Sequence, residues 1–247
     1  MRIVITGNSS GIGKMITERL ESQGHTVVGL NRTGKLPCDV TDYTQVEDCA
    51  RYVLDTYSNI DGLITCAGTQ GEMGKISKTE PDGWSETIRV NLDGTYNSIR
   101  AFYPLMDLAR RPKILCFAGG GAANGRPFFS AYASAKAGVV RLVETFSMEE
   151  TGADINVIAP GAIKTNIINK ALQLGPLVIG QEEYNKVTKQ NEGGDDPTYM
   201  LELVDWLLSE KSDGVSGRFI SAKWDDWKNF KSSELSGDIY RLRRTIL

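Results

Sequence analysis

The chain has 247 residues, 40% of them hydrophobic and 24% charged, with a formal net charge of -3. This is enough apolar material for one α/β domain, or two small ones, with a real core. There is no basic excess to neutralise phosphates and no Lys/Arg run longer than Arg243-Arg244, which argues against nucleic acid as a partner.

Residues 2–6 form a short β-branched run that enters a glycine-rich turn, after which Ile12, Met15, Ile16 and Leu20 recur at helical spacing as far as Gly24. A second strand is expected at 26–30. A helical stripe then follows in Val46, Cys49, Ala50, Val53, Leu54 and Tyr57. Further strands are expected at 61–66, 113–117, 154–159 and 217–222, and further helices at 83–90, 93–108, 132–150 and 200–208. Strands alternating with helices in this way build a doubly wound α/β domain, a Rossmann-type parallel sheet of about seven strands with helices on both faces. No linker or repeat divides residues 1–247. Two segments escape the alternation, 166–197 and the tail 223–247.

The apolar run at 3–5 is too short for a signal-peptide core, and no stretch approaches the ~20 apolar residues of a membrane span, so a cytoplasmic protein with no membrane partner is expected. Cys38, Cys49, Cys66 and Cys116 have neither metal-site nor redox-motif spacing, which reads as buried free thiols and no metal.

Between the first strand and first helix stands Thr6-Gly7-Asn8-Ser9-Ser10-Gly11-Ile12-Gly13. Gly7 permits the tight turn, Gly11 lets the backbone approach a pyrophosphate, and Gly13 allows close helix-to-strand packing, while amides at the helix N-terminus face the anion. Further along come Asp39-Val40, Ala67-Gly68, Asn91 in a Val-Asn-Leu-Asp-Gly context, Tyr132-Ala-Ser-Ala-Lys136, and Pro160-Gly161-Ala-Ile163-Lys-Thr165. In order and spacing this set resembles the classical short-chain dehydrogenase/reductase family over roughly residues 1–165, plus the last strand. The resemblance implies an NAD(P)-dependent oxidoreductase that interconverts a carbonyl and an alcohol. It also implies that Ser9, Ser10 and Ile12 join the glycines at the cofactor, that Asp39 and Val40 meet the adenine, and that Ile163 and Thr165 meet the nicotinamide carboxamide.

The second strand ends in Asn31-Arg32, where an acid would hold the adenosine ribose of NAD. Asn31 replaces that acid, and Arg32, with Lys35 nearby, has the charge to pair with the 2′-phosphate of NADP, so NADP(H) is favoured over NAD(H). An arginine at a strand end is also often just a solvated charge. Only six residues separate Arg32 from Asp39, too few for a crossover helix, so a bare loop is expected there.

Tyr132 and Lys136 lie four apart on one helix face. A phenol of ordinary pKa ~10 is a poor base at neutral pH, and a neighbouring ammonium favours its ionised form. The resemblance makes Tyr132 the proton donor in reduction and the acceptor in oxidation, with Lys136 on the nicotinamide ribose and Asn91 positioning a water behind it.

Two positions depart from the family. Its substrate-binding serine, thirteen residues before the tyrosine, is Gly119 here, and no serine or threonine occurs from 100 to 129. Amides of the glycine run, the Asn124 side chain and Ser130 are the possible substitutes, with the amides ranked first. Cys66 stands where the family has a structural asparagine. These departures keep a second reading open, a dinucleotide-binding sensor or scaffold with little turnover, and an epimerase or dehydratase would use the same residues. Residues 166–197 fall where the family has its substrate lid, and their polar character favours a hydroxylated small molecule. Trp224 and Trp227 either pack on the domain itself or reach a partner subunit. The family's habit implies a homodimer or homotetramer.

Overall fold

A computed structural model describes residues 1–231, 233, 235 and 237–243. Seven strands, β1 (Arg2–Thr6), β2 (Thr26–Asn31), β3 (Leu36–Pro37), β4 (Gly62–Thr65), β5 (Lys113–Phe117), β6 (Asp154–Ala159) and β7 (Arg218–Ser221), make one sheet in the order β3-β2-β1-β4-β5-β6-β7. Every neighbouring pair is parallel. The central strands are fully buried and their sequences are near-continuous apolar runs, as a sheet covered on both faces requires.

One face is covered by α2 (Tyr43–Tyr57), α4 (Gly94–Phe102) and α5 (Ser130–Glu149), through Val46, Val53, Phe102, Val139 and Val143. The other is covered by α1 (Gly11–Ser22) and α9 (Thr198–Leu208), through Ile16, Leu20, Leu203 and Leu207. The chain leaves β1 towards β2 on one side and returns to β4 on the other. Strand order therefore reverses between β1 and β4, and a crevice opens beyond their C-terminal ends.

Two elements differ from the sequence reading. The helix expected at 93–108 is α4 alone, preceded by a π-turn (Arg89–Asp93) after α3 (Pro81–Ile88) and followed by a 3-10 turn (Tyr103–Leu105). The Asn91 amide donates to the carbonyls of Thr87, at 2.9 Å, and Thr69, at 2.8 Å, inserting a side chain into the helical ladder, and Pro104 limits continuation beyond α4. Segment 166–197 is mostly helical, α6 (Asn169–Leu174), α7 (Pro176–Ile179) and α8 (Gln181–Glu192), broken at Gly175 and Gly180, whose φ values of 70° and 76° suit glycine. The β2–β3 connection has no helix, as its length demands.

In the tail, Trp227 is buried against Trp206 and donates to the Ala222 carbonyl at 3.0 Å, whereas Trp224 is 77% exposed. The last four residues of the tail lie outside the described residues. Cys38, Cys49 and Cys116 are buried free thiols and Cys66 is half-buried. No described helix is long and apolar enough to cross a membrane.

Candidate active site

A cleft of about 1510 Å³ runs along the C-terminal ends of the strands. The turn after β1 forms one wall. Gly7 (φ 69°) lies against the backbone of Ala67, where a Cβ would come within 2.6 Å of the Ala67 Cα, and a Cβ on Gly13 would come within 2.3 Å of the Gly7 carbonyl oxygen. These two glycines let β1, β4 and α1 meet. Ser10, at the N-cap of α1, makes no side-chain cap, and Ser9, Ser10, Gly11, Ile12 and Gly13 all line the cleft, so the helix presents its first amides to an anion. The residues therefore fit a pyrophosphate on backbone donors. Thr165 closes over Gly11 from the segment after β6, its Cβ 3.4 Å from where a Gly11 Cβ would stand.

At the β2 end, the Asn31 amide donates to Asn8 Oδ1 at 2.7 Å, and its oxygen accepts from the Thr33 amide at 3.1 Å. Arg32 is exposed, lines the cleft, and has no ion pair or hydrogen bond among the described residues. Asp39 turns its carboxylate onto Thr41, and Val40 packs on Gly94, its carbonyl accepting from Asn97 at 2.9 Å. The opposite wall holds Pro160, Gly161 (φ 88°) and Ile163. It is fixed by Asp195, which accepts from the Ala162 amide at 2.8 Å and is held by Lys223 at 2.6 Å.

Tyr132 and Lys136, on the first turns of α5, are 9% and 6% exposed and line the floor. Lys136 Nζ donates to the Phe117 carbonyl at 2.9 Å and lies 5.8 Å from the centre of the Tyr132 ring. Lys136 Nζ and Asn91 Oδ1 both converge on Gly68, 3.7 and 2.9 Å from where its Cβ would be. The same test places the Tyr132 hydroxyl 3.3 Å from a Cβ on Gly119, so the glycine that replaces the family's serine sits beside the phenol. Ser130 is turned away, its hydroxyl accepting from the Trp84 indole at 3.1 Å, and Asn124 is exposed on the cleft.

The electrostatics differ from the sequence expectation. Burial pulls Lys136 down to about 8 and pushes the Tyr132 phenol up. Arg126 draws Tyr132 part of the way back down. The Lys136 ammonium is engaged by a strand-end carbonyl and the Arg126 guanidinium lies over the Phe129 ring at 3.9 Å, and the two cations stand about equally far from the Tyr132 ring, at 5.8 and 5.9 Å.

A model of the short chain dehydrogenase family matches residues 1–173. The chain belongs to that family. Its members are oxidoreductases that bind NAD(P) and act on small molecules. A short chain dehydrogenase of Monascus ruber is 30% identical over 216 residues, spanning 86% of this chain and 69% of that protein. D-beta-hydroxybutyrate dehydrogenase of Rhizobium meliloti is 30% identical over 191 residues, spanning 68% and 74%. Among solved structures, the ligand-free aldohexose dehydrogenase of Thermoplasma acidophilum matches with a TM-score of 0.77 at 25% identity, covering 90% of this chain and 92% of that one. Levodione reductase shares the fold, with a TM-score of 0.79 at 24% identity over 89% and 95% of the two chains.

Sequence reasoning missed Asn8, which accepts from Asn31 behind the cleft wall, and among the lining residues Gln70, Arg126 and Glu183. Asn8 and Gln70 adjoin motif residues and could have been drawn from position alone. The Arg126–Glu183 pair joins segments 57 residues apart, and no periodicity signals it.

Proposed function

We propose that the protein interconverts a carbonyl and an alcohol with NADP(H), Tyr132 being the proton donor in reduction and the acceptor in oxidation. The observation that carries this is the Tyr132 hydroxyl on the cleft floor beside Gly119, with Lys136 one helical turn away and Asn91 behind Gly68. The nicotinamide, when bound, supplies or takes back the hydride. Gly7, Ser9, Ser10, Gly11, Ile12 and Gly13 hold the pyrophosphate on backbone donors, Asp39 and Val40 border the adenine, and Ala67 and Gly68 line the path between. Pro160, Gly161, Ile163 and Thr165 flank the nicotinamide end.

Lys136 orients the ribose, and Asn91 sets a water for proton exchange with Lys136. Burial keeps the phenol protonated at neutral pH, ready to donate to a substrate oxygen. The open face of Gly119, with its neighbouring amides, takes the place of the serine donor. The preference for NADP(H) rests on the absence of a carboxylate at Asn31 and on the unpaired, exposed Arg32. Segment 166–197 acts as the substrate lid. Exposed Tyr96 on α4 and Met148 on α5 support association of copies through those helices, as a homodimer or homotetramer.

The test is a panel of carbonyl and alcohol substrates followed by nicotinamide absorbance, with NADPH and NADH compared at equal ionic strength. Turnover with tighter NADPH binding is expected. Saturable dinucleotide binding without turnover anywhere in the panel would replace the enzyme by a sensor or scaffold, and tighter NADH binding would overturn the cofactor preference.

A further inference from the structure

Beyond the dinucleotide half of the cleft, two polar side chains are held in place with groups left over. Arg126, whose side chain is only 14% exposed, docks one edge of its guanidinium on the lid: Nε and Nη2 lie 2.8 and 2.7 Å from Glu183 Oε1 on α8. Stacking on Phe129 at 3.9 Å fixes the plane of the group. Nη1 has no partner among the described residues, and Arg126 lines the cleft. A guanidinium has five donors in a planar fork, so the Nη1/Nη2 edge remains available for a second, two-point contact.

Gln70 is the second case. It is 6% exposed and lines the same cleft, yet its Oε1 is buried with no partner, and its Nε2 has none among the described residues either. A buried amide left unsatisfied is costly, and a ligand hydroxyl would remove that cost.

We infer that the substrate is a small hydroxylated carboxylic acid, its carboxylate gripped by the free edge of Arg126 and a hydroxyl seated on Gln70. This rests on the oxidoreductase reading above and names its substrate class. The guanidinium carbon lies 5.9 Å from the centre of the Tyr132 ring, so the anion and the reacting oxygen belong to one short molecule. Glu183 shares the guanidinium, which favours a singly charged carboxylate over a phosphate dianion at the same edge. Because Glu183 belongs to α8, the contact also ties the acid end of the substrate to the lid. In reduction, hydride from the nicotinamide goes to the carbonyl carbon of the oxo acid and the Tyr132 proton to its oxygen, leaving a hydroxy acid and oxidised cofactor.

The experiment compares C3–C6 2- and 3-oxo acids with their primary amides, in the wild type, Arg126→Lys, Gln70→Leu and the double variant Arg126→Gln/Glu183→Gln, which removes both charges of the pair together. Two charge-assisted hydrogen bonds predict that the wild type prefers acid to amide about 10- to 100-fold in kcat/KM. That ratio falls towards one in Arg126→Lys and in the double variant. Reading the ratio cancels any effect of Arg126 on Tyr132, because both substrates use the same phenol. Calorimetry of the hydroxy acids against the NADPH-loaded protein, where product and reduced cofactor cannot react, is the second readout, with binding weakened about tenfold or more in the double variant and in Gln70→Leu. Equal turnover of acid and amide by the wild type, or an unchanged ratio in the variants, overturns the carboxylate assignment while leaving the oxidoreductase standing. Arg126-dependent binding of the acid without turnover of any substrate overturns the oxidoreductase and leaves the binding site.

Discussion

Replacing Lys136 by methionine is expected to make the protein more stable and to inactivate it. In the folded chain burial holds the Lys136 ammonium at about 8, against 10.5 for the free side chain. At 1.36 kcal/mol per pH decade this amounts to a cost of about 3 kcal/mol for a buried charge at neutral pH. The substitution also removes the bond to the Phe117 carbonyl, worth about 1 kcal/mol, leaving a net gain of about 2 kcal/mol. For a chain of this size that is a rise in Tm of about 4–8 °C. Because folding lowers the pKa, the unfolded chain binds more protons between about pH 8 and 10.5, so wild-type stability rises with pH across that window. The variant's advantage is therefore constant below about 8, fades through the window, and above it reverses by the lost hydrogen bond. Urea unfolding of both proteins from pH 6.5 to 10.5 measures it. A variant less stable at pH 7, with a difference that does not change with pH, would refute the buried-charge argument.

Gly13→Ala should destabilise the protein by more than ~2 kcal/mol in denaturant titrations, since its Cβ would overlap the Gly7 carbonyl and neither backbone has room to move. Gly119→Ala should leave stability within about 1 kcal/mol but lower kcat about tenfold or more in steady-state kinetics, because the new methyl presses on the Tyr132 hydroxyl at 3.3 Å and covers the open glycine face. Arg32→Ala should weaken NADPH about tenfold in fluorescence titration and leave NADH unchanged, the difference shrinking at high salt.

The sheet was legible because buried parallel strands are short apolar runs and each intervening helix carries an apolar stripe, as in Arg2–Thr6 followed by Ile16 and Leu20. The glycine turn was legible for a related reason, since backbone approach at Gly7 and Gly13 tolerates no other residue. What escaped was set by side chains acting on the backbone or across the chain. Asn91 diverts its own helix into a π-turn by bonding Thr87 and Thr69, which no local pattern announces. Segment 166–197 was read as a polar, glycine-broken cover, yet Gly175 and Gly180 only punctuate three helices whose few apolar residues, such as Ile179 and Val187, are buried. In the site, the Tyr132/Lys136 spacing gave the shared face. It did not reveal that the Lys136 ammonium would point at the Phe117 carbonyl, or that Arg126, from the loop just before α5, would act on the phenol as well.

The account turns on the phenol of Tyr132 as the group that moves the proton. Tyr132→Phe tests it most directly, with cofactor affinity measured by fluorescence titration and turnover by nicotinamide absorbance on the same preparation. The account predicts dissociation constants for NADPH within about threefold of wild type and turnover lower by about 10²- to 10⁴-fold. Turnover retained within tenfold would contradict it and assign proton transfer to another group in the cleft.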